Sequence, residues 1–379
     1  MRVLIAAGGT GGHIYPGLTI ANVIRARYPG CEVIFVGTHY GLEKDIIPRA
    51  GYPLELIQVQ YFRRALSLDL LKTSVIALKG LKQSFGIVGD LRPDVVVGTG
   101  GYVAGPVLLA AAIRRVPTFI QEQNALPGIT NRLLGRFMQG IALGYVEATR
   151  YFPNDGRVMV TGNPIRSEIT AITKADARRR LQLHPDYRTV VVFGGSQGGL
   201  SINRAMRELA PRLNREPWLQ VIHQTGTKSY ADIAWEVLGN DSGRERGEPP
   251  SMVKDGCVRI VPYIYDMPAA LAAADLVVGR AGALSIAEIT ARGLPAILIP
   301  FPYAAENHQE KNARVLEEAG AARVLLDEVV SGESLGDLMF GLLSNRDVLA
   351  KMAIASKSLG KPNATSVIVD RIAELAGWS

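Results

Sequence analysis

The chain has 379 residues, of which 47% are hydrophobic and 20% charged, as expected for two or three globular domains. Its net charge of +7 suits contact with phosphates or an anionic surface. The basic residues are scattered, without an arginine-rich tail or zinc-finger spacing, so we expect no nucleic acid partner. The N-terminal apolar run meets glycine after about five residues, so we expect no signal peptide, and no apolar run reaches the roughly 18 residues of a membrane span.

The first half of the chain alternates short apolar runs with helix-like stretches. The runs predict strands at 2–6, 32–36, 94–97, 117–120, 140–144 and 157–161, with helices such as 16–28 and 103–114 between them. Apolar strands that alternate with helices predict a parallel sheet covered on both faces. The first half therefore reads as one doubly wound α/β domain.

The second half repeats this pattern after a polar stretch at 167–187. Strands are predicted at 189–193, 219–223, 257–261, 275–278 and 296–299. Residues 239–256, rich in glycine, proline and charge, predict an exposed loop, and 346–376 predict a helix interrupted at 360–362. Two doubly wound domains joined near residue 164 fit this order best.

Three predicted strands run directly into glycine-rich turns that are followed by helix-like sequence. We call residues 8–12 loop one, 98–101 loop two and 194–199 loop three. Glycine lets the backbone approach a phosphate, and the N–H groups that begin a helix face it. Ile14 stands where a dinucleotide fingerprint has its third glycine, and no P-loop motif is present. The loops therefore predict phosphorylated ligands, but not NAD or a P-loop nucleotide.

Longer motifs around these loops resemble the MurG family of bacterial N-acetylglucosaminyltransferases. The matching segments run in order along most of the chain: 8–17 (Gly-Gly-Thr-Gly-Gly-His-Ile-Tyr-Pro-Gly), 100–106, 122–124, 162–166, 194–198, 280–288, 293–295, 307–309 and 312–313. One difference is Gln121, which stands where many members of the family have histidine. We interpret Gln121 as a tolerated neighbour of the motif.

The resemblance implies a GT-B fold, in which two Rossmann-like domains face each other across a cleft. It implies an acceptor domain at 1–163, a UDP-sugar domain at 164–345 and a helical segment at 346–379 that packs back on the first domain. It also implies transfer of N-acetylglucosamine, with inversion, from UDP to the undecaprenyl-diphosphoryl-muramyl-pentapeptide. The expected location is the cytoplasmic face of the plasma membrane, with an anionic membrane surface and proteins of cell-wall synthesis as partners.

Inversion by a single displacement needs a base for the acceptor hydroxyl. His13 is the best-placed base because it lies at a glycine-rich helix start. Alternatively, His13 caps that helix or binds a phosphate. The resemblance assigns the acceptor's diphosphate to loops one and two, at Gly9, Gly12, Gly101 and Tyr102.

The resemblance also implies a set of donor contacts. Glu288 would bind the ribose, the backbone of Ile264 the uracil, Arg166 the nucleotide, and Asn124 and Gln309 the sugar. The remaining expected contacts of UDP-N-acetylglucosamine are Thr10, Gly11, Gly12, Ser196, Gln197, Ala283, Leu284 and Ser285.

Departure of UDP needs stabilisation of its pyrophosphate. We assign this to loop three, where Ser196 and Gln197 precede a helix whose N–H groups and dipole favour negative charge. The sequence has neither a D-x-D motif nor zinc spacing. We therefore expect no metal and no cofactor.

A lipid-linked acceptor requires contact with a bilayer. Residues 67–87 read as a helix with Leu71, Val75, Leu78 and Phe85 on one face, beside Lys72, Lys79 and Lys82. This face either binds anionic lipid or packs on the core. Two other functions remain open: a UDP-N-acetylglucosamine 2-epimerase-like isomerase and a catalytically silent UDP-sugar-binding protein.

Overall fold

The computed structural model describes residues 1–59, 69–195, 198–239 and 248–378, and of residues 69–77 it gives the backbone alone. The chain divides into two compact units. The first is Met1–Arg166 together with the C-terminal residues from Asn363 onward, and the second is Ser167–Pro362. Each unit is built on one seven-stranded sheet.

The first unit has a parallel sheet in the order β3-β2-β1-β4-β5-β6-β7. Its strands are β1 (Arg2–Ala7), β2 (Glu32–Thr38), β3 (Leu54–Ile57), β4 (Val95–Gly100), β5 (Thr118–Glu122), β6 (Gly140–Leu143) and β7 (Val158–Val160). Its first five helices are α1 (Gly11–Arg27), α2 (Glu43–Arg49), α3 (Asp69–Leu91), α4 (Ala104–Ile113) and α5 (Ile129–Leu134).

The second unit has a sheet in the order β10-β11-β9-β8-β12-β13-β14. Its strands are β8 (Arg188–Phe193), β9 (Leu219–Gln224), β10 (Val253–Asp255), β11 (Val258–Val261), β12 (Leu276–Gly279), β13 (Ala296–Leu298) and β14 (Ala322–Val324). Its helices are α6 (Glu168–Ala171), α7 (Lys174–Arg180), α8 (Leu200–Leu213), α9 (Thr227–Val237), α10 (Met267–Ala273), α11 (Ala283–Arg292), α12 (His308–Glu318), α13 (Gly332–Leu343) and α14 (Arg346–Leu359).

The helical C-terminal segment divides between the two units. Helix α14 belongs to the second unit, whereas α15 (Ala364–Ala376) belongs to the first and packs against α1. The break between them lies at residues 360–363, where the sequence predicts an interruption. Ile165 and Thr365 exchange hydrogen bonds of 3.0 and 2.8 Å, which tie the end of the first unit's opening segment to the start of α15.

The central strands are apolar along their whole length because both faces of each sheet are covered. In β1, Leu4 and Ile5 are both fully buried but belong to different core clusters on opposite faces of the sheet. Alternate side chains of a strand point to opposite faces, so a strand buried on both sides needs an unbroken apolar run. The register, with Leu4 opposite Val96, brings the carboxyl ends of β1 and β4 together and places loop one beside loop two.

Three strands are missing from the sequence prediction, and all three lie at sheet edges. They are β3, β10 and β14. The prediction of an exposed loop at 239–256 is wrong for Val253–Asp255, which pair antiparallel with β11 across Gly256 at φ +55°; residues 240–247 lie outside the described part. Helix α1 also begins at Gly11, five residues earlier than predicted, with Pro16 inside it.

Helix α3 forms as predicted, but the proposed lipid-facing stripe is not one surface. Phe85 packs against the core of the first unit, whereas Leu78 is 66% exposed. The side chains of Leu71, Lys72 and Val75 lie outside the described part. Among the residues that the structure describes, no helix is both long enough and apolar enough to cross a membrane.

Candidate active site

Loops one and two are in direct backbone contact at the carboxyl edge of the first sheet. Gly101 has φ +79°, and a Cβ there would lie 2.2 Å from the carbonyl oxygen of Gly8. The ring of Tyr102 lies against loop one, because a Cβ on Gly9 would be 3.2 Å from Tyr102 Cε1. The structure therefore brings together three of the four predicted acceptor residues, and the fourth, Gly12, lies in the first turn of α1.

The start of α1 is open to an anion. Thr10 precedes the helix in extended conformation, and within the described structure its side chain makes no capping hydrogen bond. The N–H groups of His13 and Ile14 donate to the Thr10 carbonyl oxygen at 3.0 and 3.2 Å. The N–H groups of Gly11 and Gly12 precede them in the first turn, which contains no acidic residue. This arrangement is typical of phosphate-binding helix starts.

The ring of His13 is held in one orientation by two acceptors. Nδ1 lies 3.2 Å from the Thr99 carbonyl oxygen and 3.3 Å from Gln123 Oε1. Because both partners accept hydrogen bonds, we assign the ring proton to Nδ1, which leaves the lone pair on Nε2. Gly100, at φ +110°, makes room for this ring, since a Cβ there would lie 2.4 Å from Nδ1.

A chain of buried amides fixes the orientation of Gln123. Its Nε2 donates to the Thr99 carbonyl oxygen and to Gln121 Oε1, both at 2.6 Å. Gln121 Nε2 donates to Asn163 Oδ1 at 3.0 Å, and Asn163 Nδ2 donates to the Gln123 carbonyl oxygen at 2.9 Å. Gln121, interpreted from the sequence as a tolerated neighbour, thus supports the residue that orients His13. Gln121 lies in β5 and Gln123 directly follows this strand, and their i, i+2 spacing was the signal for a shared face.

Glu122 organises the turn that carries Asn124. Its Oε1 accepts from the Asn124 backbone N–H at 2.9 Å and from Asn124 Nδ2 at 3.2 Å. Its Oε2 accepts from the Gly128 N–H at 3.1 Å and from Asn131 Nδ2 at 2.8 Å. The Glu122 side chain is only 2% exposed. Its four hydrogen bonds fix the conformation of the turn and the orientation of the Asn124 side chain.

Loop three lies at the carboxyl edge of the second sheet and leads into α8. Gly195 and Gly198 have φ +88° and +81°, and a Cβ on Gly198 would lie 2.0 Å from the Thr225 carbonyl oxygen. The predicted Ser196 and Gln197 lie outside the described residues. Arg280 donates to Ser201 Oγ at 3.1 Å in the first turn of α8, which connects loop three to the end of β12.

Sequence reasoning missed Gln224, which joins loop three to the predicted uracil contact. The side chain is 2% exposed. Its Nε2 donates to the Gly195 carbonyl oxygen at 2.8 Å, and its Oε1 accepts from the Ile264 backbone N–H at 2.9 Å. The N–H of Ile264 is therefore engaged by Gln224.

The other predicted donor residues of the second unit lie on two helices, α11 and α12. Ala283, Leu284 and Ser285 form the first turn of α11, and Glu288 follows Ser285 by three residues, hence on the same side of the helix. Gln309 is in the first turn of α12, and its Oε1 accepts from the Phe301 N–H at 3.0 Å. The Nε2 of the same amide is a hydrogen-bond donor.

Arg280 joins three strand ends of the second unit. Its guanidinium donates to the Ile299 and Pro300 carbonyl oxygens at 3.2 and 3.1 Å and pairs with Asp327. Arg166, the remaining predicted donor contact, is exposed in the first unit. In the described part of the chain, no group of three or more His, Cys, Asp or Glu side chains is arranged to hold a metal ion.

Comparison with known proteins agrees with these motifs and this fold. Residues 3–143 match the N-terminal domain of glycosyltransferase family 28, and residues 189–368 match its C-terminal domain. Two relatives named UDP-N-acetylglucosamine–N-acetylmuramyl-(pentapeptide) pyrophosphoryl-undecaprenol N-acetylglucosamine transferase cover nearly the whole chain. The one from Desulforamulus reducens is 44% identical and covers 97% of each chain; the one from Desulforudis audaxviator is 45% identical and covers 100% of this chain and 99% of its own.

The chain belongs to the MurG family of glycosyltransferases. The crystal structure of Acinetobacter baumannii MurG superposes with a TM-score of 0.75 at 29% identity, over 98% of this chain and 99% of that one. A putative UDP-N-acetylglucosamine 2-epimerase from Listeria monocytogenes superposes with a TM-score of 0.66 at 14% identity, over 99% and 96% of the two chains, which shows a shared fold alone. The predicted family and the GT-B fold with two Rossmann-like domains are thereby confirmed.

Proposed function

We propose that the protein transfers N-acetylglucosamine from UDP-N-acetylglucosamine to the muramyl 4-hydroxyl of undecaprenyl-diphosphoryl-N-acetylmuramyl-pentapeptide, with inversion, in peptidoglycan synthesis. Relatives at 44% and 45% identity carry this activity in their names. The observation that supports it best is the orientation of His13, whose Nε2 lone pair lies at the open start of α1.

In this reaction His13 Nε2 accepts the proton of the acceptor hydroxyl while that oxygen attacks the anomeric carbon. The bond from the anomeric carbon to the UDP oxygen breaks, and UDP leaves with the electron pair. Positive charge then develops on the imidazole, and Nδ1–H donates to the Thr99 carbonyl oxygen and Gln123 Oε1. These two acceptors favour the charged ring in the transition state, when charge develops, more than in the ground state.

Backbone N–H groups bind the phosphates of both substrates in this proposal. The first turn of α1, with Gly11 and Gly12, takes the diphosphate of the acceptor. The first turn of α8, after Gly199, stabilises the pyrophosphate of the departing UDP through its N–H groups and helix dipole. Under this proposal the transfer needs no metal and no cofactor.

Release of UDP tests the proposal directly. The protein is incubated with UDP-N-acetylglucosamine, with and without a polyprenyl-diphosphoryl-muramyl-peptide, and free UDP and sugar products are measured. UDP release that depends on the acceptor is the expected result. Conversion of the donor to its manno epimer without acceptor would instead indicate an isomerase, and binding without turnover a UDP-sugar-binding protein.

Contact with an anionic membrane at the cytoplasmic face is the second part of the proposal. Helix α5 and the 3-10 helix that follows it expose an apolar patch at Ile129, Leu133 and Phe137, which are 52%, 67% and 64% exposed. Ile129 and Leu133 are four residues apart in α5, which places them on one side of that helix, and Phe137 ends the 3-10 helix that follows. Arg136 and Arg150 are exposed on the same helix and on the next 3-10 helix.

The energies support a reversible anchor at this patch. Burying a Leu or Phe side chain fully contributes about 1.5–3 kcal/mol, and each basic residue near anionic lipid contributes about 1 kcal/mol. Helix α4 packs against both α3 and α5, so Lys79 and Lys82 of α3, both exposed, add charge from a neighbouring helix.

Vesicle sedimentation separates the patch from general charge effects. Leu133→Glu with Phe137→Glu should lower binding to phosphatidylglycerol vesicles at least tenfold. The matched control is Leu238→Glu with Ile354→Glu, which makes the same charge change at side chains that are 49% and 72% exposed in the second unit. Equal binding by the two double variants would remove the patch from the proposal.

A second pair of substitutions in the same assay tests the lysines of α3. Lys79→Glu with Lys82→Glu should weaken binding to phosphatidylglycerol vesicles and leave binding to phosphatidylcholine vesicles unchanged, since the lysines act through charge. Unchanged binding to both lipids would limit the membrane contact to α5.

A further inference from the structure

Glu43 is a fully buried carboxylate at the carboxyl edge of the first sheet, where neither the family motifs nor the proposed chemistry gives it a role. It is 0% exposed in the first turn of α2. Its Oε2 accepts from the Gly9 backbone N–H at 2.9 Å, and its Oε1 accepts from the Thr38 N–H at 2.9 Å and from Thr38 Oγ1 at 2.7 Å. One side chain thus joins loop one to the end of β2.

Three glycines leave the space that this carboxylate fills. A Cβ on Gly8 would lie 2.9 Å from Glu43 Oε1, one on Gly37 2.5 Å from Glu43 Cγ, and one on Gly41 1.9 Å from Glu43 Oε2. Real Cβ atoms do not approach so closely, so an alanine at any of these positions must move Glu43. The carboxylate therefore occupies a space built from three separate segments of the chain.

Loop two is connected to the same point. The hydroxyl of Tyr102 lies 3.5 Å from Thr38 Oγ1, and the Tyr102 ring lies against Gly9. Gly101 in turn contacts the backbone of Gly8. The position of Glu43 consequently sets the positions of both loops that carry the predicted acceptor contacts.

We infer that Glu43 is a positioning residue for the acceptor diphosphate, acting through loops one and two. The inference rests on the proposed function. Coulomb's law alone argues the other way, because a negative charge beside a diphosphate site repels the ligand. A carboxylate is required by geometry: both of its oxygens accept, and all three donors face it, whereas an amide would turn an N–H group toward one of them.

Two variants separate position from charge. Glu43→Gln keeps the shape of the side chain and removes its charge, whereas Gly41→Ala keeps the charge and displaces the carboxylate. The inference predicts that both lower kcat/KM for the lipid acceptor about 10- to 100-fold, while the dissociation constant for UDP, measured by calorimetry, stays within twofold of wild type. A purely electrostatic role predicts that Glu43→Gln raises kcat/KM.

The matched control is Thr118→Val at a residue that is also 0% exposed. It removes a hydroxyl bond to Gln139 at the start of β5, the end of the strand opposite loops one and two, so it should lower Tm with less than a threefold change in acceptor kcat/KM. Hydrogen exchange of the Gly9 amide should accelerate in Glu43→Gln but not in this control.

The inference about Glu43 is contradicted by specific kinetic results. Acceptor kcat/KM that is unchanged or raised in Glu43→Gln, or lowered equally in Thr118→Val, overturns the inference. If one variant fails to fold, the other still tests displacement or charge by itself. Wild-type protein that never releases UDP with acceptor overturns the proposed function, and this inference with it.

Discussion

Replacement of Gln224 by leucine tests whether one buried amide holds loop three in place beside the second sheet, as binding of UDP at this loop would require. The side chain donates to the Gly195 carbonyl oxygen at 2.8 Å and accepts from the Ile264 N–H at 2.9 Å. Leucine has a similar volume and can do neither. Gly195 and Ile264 would then be free to separate, and the two polar backbone groups would lose their partner.

The magnitude follows from those two bonds. Each intramolecular hydrogen bond contributes about 0.5–1.5 kcal/mol net, and a buried group left without a partner adds a penalty of about 1–3 kcal/mol. If binding of UDP must restore this arrangement, about 1.4–2.8 kcal/mol of that loss appears in affinity. The dissociation constant for UDP should therefore rise about 10- to 100-fold, since each 1.4 kcal/mol is a factor of ten.

The assay is calorimetric titration of UDP into each variant, beside a control on the same strand. Gln220 is 8% exposed at the other end of β9 and bonds the His184 N–H, the His184 carbonyl oxygen and Thr189 Oγ1, each at 2.9 Å. Gln220→Leu should lower Tm by a similar amount without changing the affinity for UDP. It removes the same kind of bonds at the edge opposite loop three.

Two results would refute this reasoning. One is a folded Gln224→Leu variant that binds UDP as wild type does. The other is an equal loss of affinity in Gln220→Leu, which would attribute the effect to stability. Gln224→Glu gives a further check, because it keeps the bond from the Ile264 N–H and turns a carboxylate oxygen toward the Gly195 carbonyl oxygen. It should weaken UDP binding more than leucine does.

Three further predictions concern the base, the metal and the pH dependence of folding. His13→Ala should lower kcat by about 10²–10⁴-fold with UDP affinity unchanged by calorimetry, and a loss confined to KM would assign His13 to binding. EDTA should leave acceptor-dependent UDP release unchanged, and a loss that Mg²⁺ restores would contradict the metal-free proposal. Burial raises the pKa of Asp275, but bonds from Lys174, the Thr189 N–H and Arg178 hold that pKa below its ordinary value. The contribution of Asp275 to the free energy of unfolding is thus fully present above its unfolded pKa of about 3.9 and is lost as pH falls through the folded value. In urea unfolding, Asp275→Asn should be less stable than wild type by about 3 kcal/mol at pH 7 and by less at pH 3. A stability difference that does not change with pH would contradict this prediction.

The interior strands of both sheets could be predicted from the sequence, but of the four edge strands only β7 could. Every predicted strand is present, because a strand covered on both faces needs an unbroken apolar run such as Val95-Val96-Val97. The missed strands β3, β10 and β14 are edge strands, partly exposed and three or four residues long. A sequence such as Leu54-Glu55-Leu56-Ile57 does not show the period-two pattern over enough residues to be distinguished from a loop.

Some residues of the candidate site could likewise be predicted from the sequence, and others could not. The glycine loops and His13 could be found because each follows an apolar strand directly. Glu43 and Gln224 could not, since an isolated polar residue usually lies on the surface. Their partners are far along the chain: Gly9 is 34 residues from Glu43, and Ile264 is 40 residues from Gln224. No local pattern encodes such a bond.

Glu43 and Gln224, the buried side chains that hold loops one and three, differ in type because the two loops present different backbone groups. Loop one offers the Gly9 N–H, and Thr38 offers two more donors, so the anchor must accept with both oxygens, as the Glu43 carboxylate does. Loop three offers the Gly195 carbonyl oxygen and Ile264 offers an N–H, so the anchor must donate and accept, as the Gln224 amide does. The glycines of these loops have no side chains that could fix the backbone, and N–H groups stabilise a developing charge only when they are already in place. A buried side chain from outside each loop holds the loop's N–H groups in place. Exchanging the two side-chain types would bring two donors together at the Glu43 site and two acceptors together at the Gln224 site.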